Sequence, residues 1–264
     1  QPWTALGARQ HDWITQRQAP QIDALRRSGI DTLWVEAGRY LTEAKAVAKL
    51  TAESGGKGLV FSFESHDNAF PDPAHRDLTF EQFRHILDQF PKLKWLGTTG
   101  IGTSFLNRDY LIMLEYAKKR NIYVELFDPC HRLSKDIAER VVRDGLLGRL
   151  FISLDGTTKE TYEKIRVGAN FDTVNANIKN VVETKRRYKT SFPEISFHFI
   201  ISKDNYKEVP SMIKLVYELT GNDNIGIMFT HLLHPFEEIK ESVFVLPKEL
   251  KEEAIRLSKK YNIR

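Results

Sequence analysis

The residue types and spacing best suited to chemistry lie in one stretch: Ile152-Ser-Leu-Asp-Gly156-Thr-Thr-Lys-Glu-Thr-Tyr-Glu-Lys-Ile-Arg166-Val-Gly168. Its apolar run reads as a buried strand that ends on Ser153 and Asp155. Gly156 makes the turn, and Thr157 with Glu160 reads as the cap of the next helix. Ser153, Asp155 and Arg166 would all lie near the carboxyl end of the sheet, where barrel active sites form. Without a ligand, the same text is a strand, a turn, a capped helix and a surface arginine.

A second set of groups sits at other expected strand ends: Glu36, Glu64 with His66 and Asp67, Asp128 with Cys130 and His131, and His231. Glu64, His66, Asp128 and His131 are the candidates for a divalent metal or a general acid–base pair. They come from different loops, and no His-x3-His pair marks a helical site. Carboxylates at strand ends also cap the following helix, which is the structural alternative. Cys130 beside His131 has the composition of a nucleophile and its base, but adjacent side chains rarely face each other, so the thiol reads as passive. His198, between Phe197 and Phe199 on a strand, faces away from both and points either into a barrel or against a helix.

The elements that must position these groups alternate along the chain. Strands are expected at Asp31–Glu36, Gly58–Glu64, Leu93–Gly97, Ile122–Phe127, Leu150–Leu154, Ile195–Ile201 and Ile225–Thr230. Helix-length segments separate them, near Leu41–Leu50, Phe80–Phe90, Asp109–Lys119, Lys135–Arg143, Phe171–Tyr188 and Val209–Leu219, with a last helix from Lys248 to Lys260. Thr79 and Gln82 form a capping box before the second of these. Such alternation forces parallel pairing with right-handed crossovers. No GxGxxG follows an early strand, which disfavours a dinucleotide-binding sheet. The expectation is one α/β domain over residues 1–264, a parallel (βα) barrel or near-complete barrel of seven to eight strands, the weakly patterned Pro2–Gln10 stretch being the candidate eighth.

Composition narrows the partners. The 39 basic and 35 acidic residues give a net charge of +4 with the signs interleaved, so no nucleic-acid partner is expected. The densest basic run, Lys185-Arg186-Arg187, reads as the solvated face of a polar helix with Lys179 and Lys189. No apolar run approaches the roughly 20 residues of a membrane span. One cysteine excludes an internal disulfide and fits a reducing, cytoplasmic setting. Residues 1–56 hold nine Ala and two Lys, whereas residues 79–264 hold five Ala and eighteen Lys. That break suggests a chimera, by recombination or engineering, joined between Gly55 and Leu78; the alternative is an Ala-rich helix pair meeting a Lys-rich surface by chance.

From about Leu78 to Arg264 the chain resembles the core of radical S-adenosylmethionine enzymes, the type with a C-terminal iron–sulfur extension. The Ser-Leu-Asp-Gly strand end and the Tyr-Glu-Lys-Ile-Arg-Val-Gly continuation carry the resemblance. It implies that Ser153 and Arg166, with Asp155 beside them, contact the nucleoside cofactor. Thr99-Gly-Ile-Gly102-Thr-Ser-Phe-Leu-Asn107 matches the place of the family's glycine-rich motif, which implies backbone contacts at Gly100 and Gly102. That motif ordinarily ends Glu-Pro, where this chain has Thr103-Ser104. The family's Cys-x3-Cys-x2-Cys loop should follow the strand at Leu59–Glu64, but Ser65-His-Asp-Asn-Ala-Phe-Pro-Asp-Pro73 contains no cysteine. A [4Fe-4S] cluster needs soft thiolate ligands and is expected to be absent. The reading is a radical-SAM-like barrel that has lost radical chemistry and keeps a pocket for S-adenosylmethionine or another nucleoside. The alternatives are a metal-assisted hydrolase or lyase at the barrel mouth, and an engineered barrel without catalysis.

Overall fold

The computed structural model describes residues 32–33, 58–62, 78–99, 103–221, 225–231 and 246–264. It divides into two compact units, Gln1–Leu126 and Phe127–Arg264. In the first, strands β1 (Thr32–Leu33), β2 (Gly58–Ser62), β3 (Trp95–Thr99) and the start of β4 (Tyr123–Asp128) pair in parallel. In the second, β5 (Arg149–Ser153), β6 (Glu194–Ile201) and β7 (Gly226–His231) do the same. The chain is therefore α/β with parallel pairing, as expected. Five strands rather than seven to eight run through the described residues from Leu78 onward. The other expected strands fall in the first third, where the description reaches only the backbone of β1 and β2.

In the first unit the capping box at Thr79 is present as read, and it starts helix α1 (Phe80–Asp88). Phe83, Ile86 and Leu87 are buried beneath it, with Phe90 and Leu93 continuing the apolar stripe. Helix α2 (Tyr110–Lys119) follows a turn that Asn107 organises by donating to the Leu78 carbonyl and accepting from the Asp109 N–H. Asp109 does not cap its own helix. Its carboxylate accepts the Phe80 N–H at the first turn of α1.

In the second unit, helices α3 (Lys135–Arg143) and α5 (Phe171–Tyr188) fall at the expected residues. Helix α6 (Val209–Thr220) begins with Pro210 in its first turn, where a missing N–H costs nothing. Helix α7 (Lys248–Tyr261) closes the described chain. Strands β4, β5 and β6 alternate in burial with period two. Leu150, Ile152, Ile195, Phe197, Phe199 and Ile201 bury one face, while Ser153, Ser196, His198 and Ile200 line the more open face. Phe127 and Phe151 stack with ring centroids 4.2 Å apart, and His198 meets Phe127 edge-on.

Phe197 is fully buried at the centre of β6. Phe197→Ala is expected to lower unfolding free energy by about 3–5 kcal/mol through lost burial and the cavity left behind. Urea denaturation measures it; a loss below about 1 kcal/mol would contradict the packing described.

Candidate functional site

The end of β5 carries the site because three elements meet there on one carboxylate. Asp155 is buried, at 4% exposure. Its Oδ1 accepts the Ile200 N–H at 2.9 Å, and its Oδ2 accepts from Arg166 Nε at 2.9 Å and from Nη2. Both oxygens thus accept from donors of this chain, and Oδ2 holds Arg166 beside the strand end. The Asp155 carbonyl accepts from Asn205 Nδ2, which also donates to the Ile200 carbonyl. Asn205, 1% exposed, accepts the Ser202 N–H through Oδ1. The strand end, the turn after β6 and the segment leading into α6 are one hydrogen-bonded bracket.

Helix α4 (Lys159–Ile165) packs directly against this bracket. A Cβ on Gly156 would come within 2.7 Å of the Tyr162 backbone nitrogen. Close approach to the helix, beyond the turn itself, therefore demands glycine at this position. The expected cap is corrected by one residue: Thr158, whose hydroxyl accepts the Thr161 N–H, is the N-cap. Thr157 instead gives its N–H and hydroxyl to Glu208, which also receives the hydroxyls of Thr158 and Thr161. A carboxylate from the start of α6 thereby fills the positive end of α4.

Within this frame Ser153 lies at the end of β5 on the open face, paired in register with His198. Arg166 sits at the carboxyl cap of α4 with 27% of its side chain exposed. Two of its three guanidinium nitrogens face Asp155, which leaves Nη1 for a further acceptor. Asp155 and Arg166 are therefore brought together, and Ser153 lies two residues before Asp155 on the same strand end. Gly100 and Gly102 lie outside the described residues, as do Glu36, Glu64, His66 and Asp67.

Asp128 and His131 have other work in the fold. Asp128 is fully buried and accepts the Cys130 N–H, closing a turn in which Cys130 takes a φ of 62°. Asn177 donates to the carbonyls of Cys130 and His131. His131 Nε2 hydrogen-bonds the buried Tyr162 hydroxyl at 2.8 Å, and burial pushes that phenol up. Burial, with help from the Asp128 charge, also pushes the Cys130 thiol well up, which makes it passive. Among the described residues no three His, Cys, Asp or Glu side chains group around a metal position. His198 takes the open face, its Nε2 2.8 Å from Thr230 Oγ1.

Asn205, Glu208 and Asn177 were not singled out from the sequence. Each acts on backbone or side chains about 50 residues away, and the only local signal was the polar run Ser202-Lys-Asp-Asn205 before a helix.

No known family profile matches the chain. A tungsten-containing aldehyde ferredoxin oxidoreductase cofactor-modifying protein of Pyrococcus furiosus is 24% identical over 147 residues, covering 54% of this chain and 41% of that protein. Streptococcus suis SuiB superposes with a TM-score of 0.59 at 12% identity, covering 94% of this chain and 59% of that one. Escherichia coli coproporphyrinogen III oxidase HemN, a radical SAM enzyme, superposes with a TM-score of 0.50 at 14% identity over 68% and 43% of the two chains. The fold is radical-SAM-like. At these identities the likeness concerns fold alone, and the chain spans about half the length of these relatives. Among the described residues no helix is long and apolar enough to cross a membrane.

Asp155→Ala should cost about 2–3 kcal/mol, because it strands the Ile200 N–H and the Arg166 charge. Thermal or urea unfolding measures it, and a near-neutral result would contradict the bracket. Burial holds the His198 imidazole below its ordinary 6.5, with Arg166 lowering it and Asp155 opposing. As pH falls below 6.5 the unfolded chain therefore takes up this proton first, so stability declines until the folded value is passed. An NMR titration should place the His198 midpoint below 6.5; a midpoint above it would contradict this environment.

Proposed function

We propose that the strand ends around Ser153 and Arg166 bind S-adenosylmethionine or a close nucleoside analogue, within a (βα)-barrel arrangement, and that this chain does not perform radical cleavage of it. The observation that carries the reading is the Arg166 guanidinium, gripped on one side by buried Asp155 and left with Nη1 for a ligand. A fixed cation of this kind pairs with a carboxylate without first having to be ordered. The Ser153 hydroxyl, on the open face of β5, supplies a donor and acceptor for a ribose. The likeness in fold to a radical SAM enzyme supports the choice of ligand. Gly100 and Gly102, which the resemblance implies as backbone contacts, lie outside the described residues.

The residues present do not suit an iron–sulfur cluster. The single cysteine is buried, its thiol is pushed well up, and its backbone is locked in a turn far in sequence from the Ser65–Pro73 loop. Three thiolates are needed where the chain has none. The proposed role is therefore binding. Separate origin of residues 1–77, whether by recombination or engineering, is a further part of the proposal and rests on the break in Ala and Lys content.

Calorimetric titration with S-adenosylmethionine should show one saturable site. Arg166→Ala should abolish binding, and Ser153→Ala should weaken it about tenfold through one lost hydrogen bond. Arg166→Lys, which keeps a charge opposite Asp155, guards against a variant that merely unfolds. No binding by the folded parent chain at millimolar ligand would overturn the reading.

A further inference from the structure

At the opposite end of β5, the second unit holds a cavity of about 770 Å³ whose wall is strongly basic. Arg149 opens β5, Lys185, Arg186 and Lys189 come from the end of α5, and Arg264 lies beyond α7. Glu194 is the acidic residue of this wall, and Arg149 already pairs with it. Cations in the last turn of α5 also suit the negative end of a helix. Arg186 also donates to the Thr220 carbonyl, and Arg149 and Arg264 reach the same cavity from other elements. The run that reads in sequence as a solvated helix face is here one side of an open basic recess.

Several like charges around one cavity raise the potential inside it, and a bound anion relieves the repulsion. The volume lies within the range of small-ligand pockets. Thr190, Ser191 and Ser196 line it, Ile195 is its apolar part, and among the described lining residues there is no aromatic ring to stack on a base. The chemistry suits a small, multiply charged anion better than a nucleobase or an apolar ligand. We propose that this cavity binds a polyanion of the diphosphate or triphosphate type. It lies about 13 Å along β5 from Ser153, counting four strand steps, so it is separate from the nucleoside site proposed above.

Inorganic tripolyphosphate titrated calorimetrically into the full chain at low salt tests this. Saturable binding is expected, falling steeply as salt is raised. The Lys185→Glu/Lys189→Glu variant should bind about tenfold more weakly or worse. The Lys259→Glu/Lys260→Glu variant, with the same charge change at exposed sites on α7, should bind as the parent does. If the first variant fails to fold, the single Lys189→Glu variant at an exposed position carries the comparison. No binding at low salt, or equal weakening in both double variants, overturns the proposal. So does a single-stranded RNA oligonucleotide that binds tightly while tripolyphosphate fails to compete with it. Unchanged S-adenosylmethionine titration in the Lys185/Lys189 variant would separate this outcome from that of the nucleoside site.

Discussion

A carboxylate taken out of water must recover its hydrogen bonds from the protein, and Asp155 recovers them from Ile200 and Arg166. That requirement organises the second unit. The Ile200 N–H fixes the end of β6 against the end of β5. The guanidinium fixes the residue that caps the carboxyl end of α4. Asn205, satisfied on both its amide groups, holds the Asp155 backbone in the same frame. Glu208 repeats the logic one turn later, where four donors from Thr157, Thr158 and Thr161 converge on it. One network sets both strand ends and the helix, and within it two hydrogen bonds hold the Arg166 guanidinium against Asp155.

Much of the fold was legible in the sequence because its signals are local. The apolar spacing in Lys135–Arg143 and Phe171–Tyr188 placed those helices at their observed ends. Thr79 and Gln82 announced the start of α1 because a capping box lies within four residues. Strand boundaries moved by up to two residues, as with β3 at Trp95–Thr99 rather than Leu93–Gly97. Neighbouring strands settle where a strand begins, and a single run of residues does not contain that information.

The site was legible only in part, for the same reason. Ser153, Asp155 and Arg166 stood out because they crowd into fourteen residues, and the structure pairs Asp155 with Arg166. Their roles were less readable. Asp155 reads in sequence as a ligand contact, and both its oxygens also accept from donors of this chain. Thr157 reads as a cap, yet its partner is Glu208, 51 residues on. Gly156 reads as a turn glycine, while the steric demand comes from the backbone of Tyr162. Partners at such separations meet only after the strands have paired, so no window along the chain reveals them.

The account stands or falls on whether the free edge of Arg166 faces a ligand while Asp155 keeps the other. A crystal structure of the chain soaked with S-adenosylmethionine addresses this directly. The expected result is ligand density between Ser153 and Arg166, with a ligand carboxylate within hydrogen-bond distance of Nη1 and the Asp155–Arg166 pair intact. Density elsewhere with this site left vacant, or an Arg166 that must leave Asp155 to reach the ligand, would contradict it.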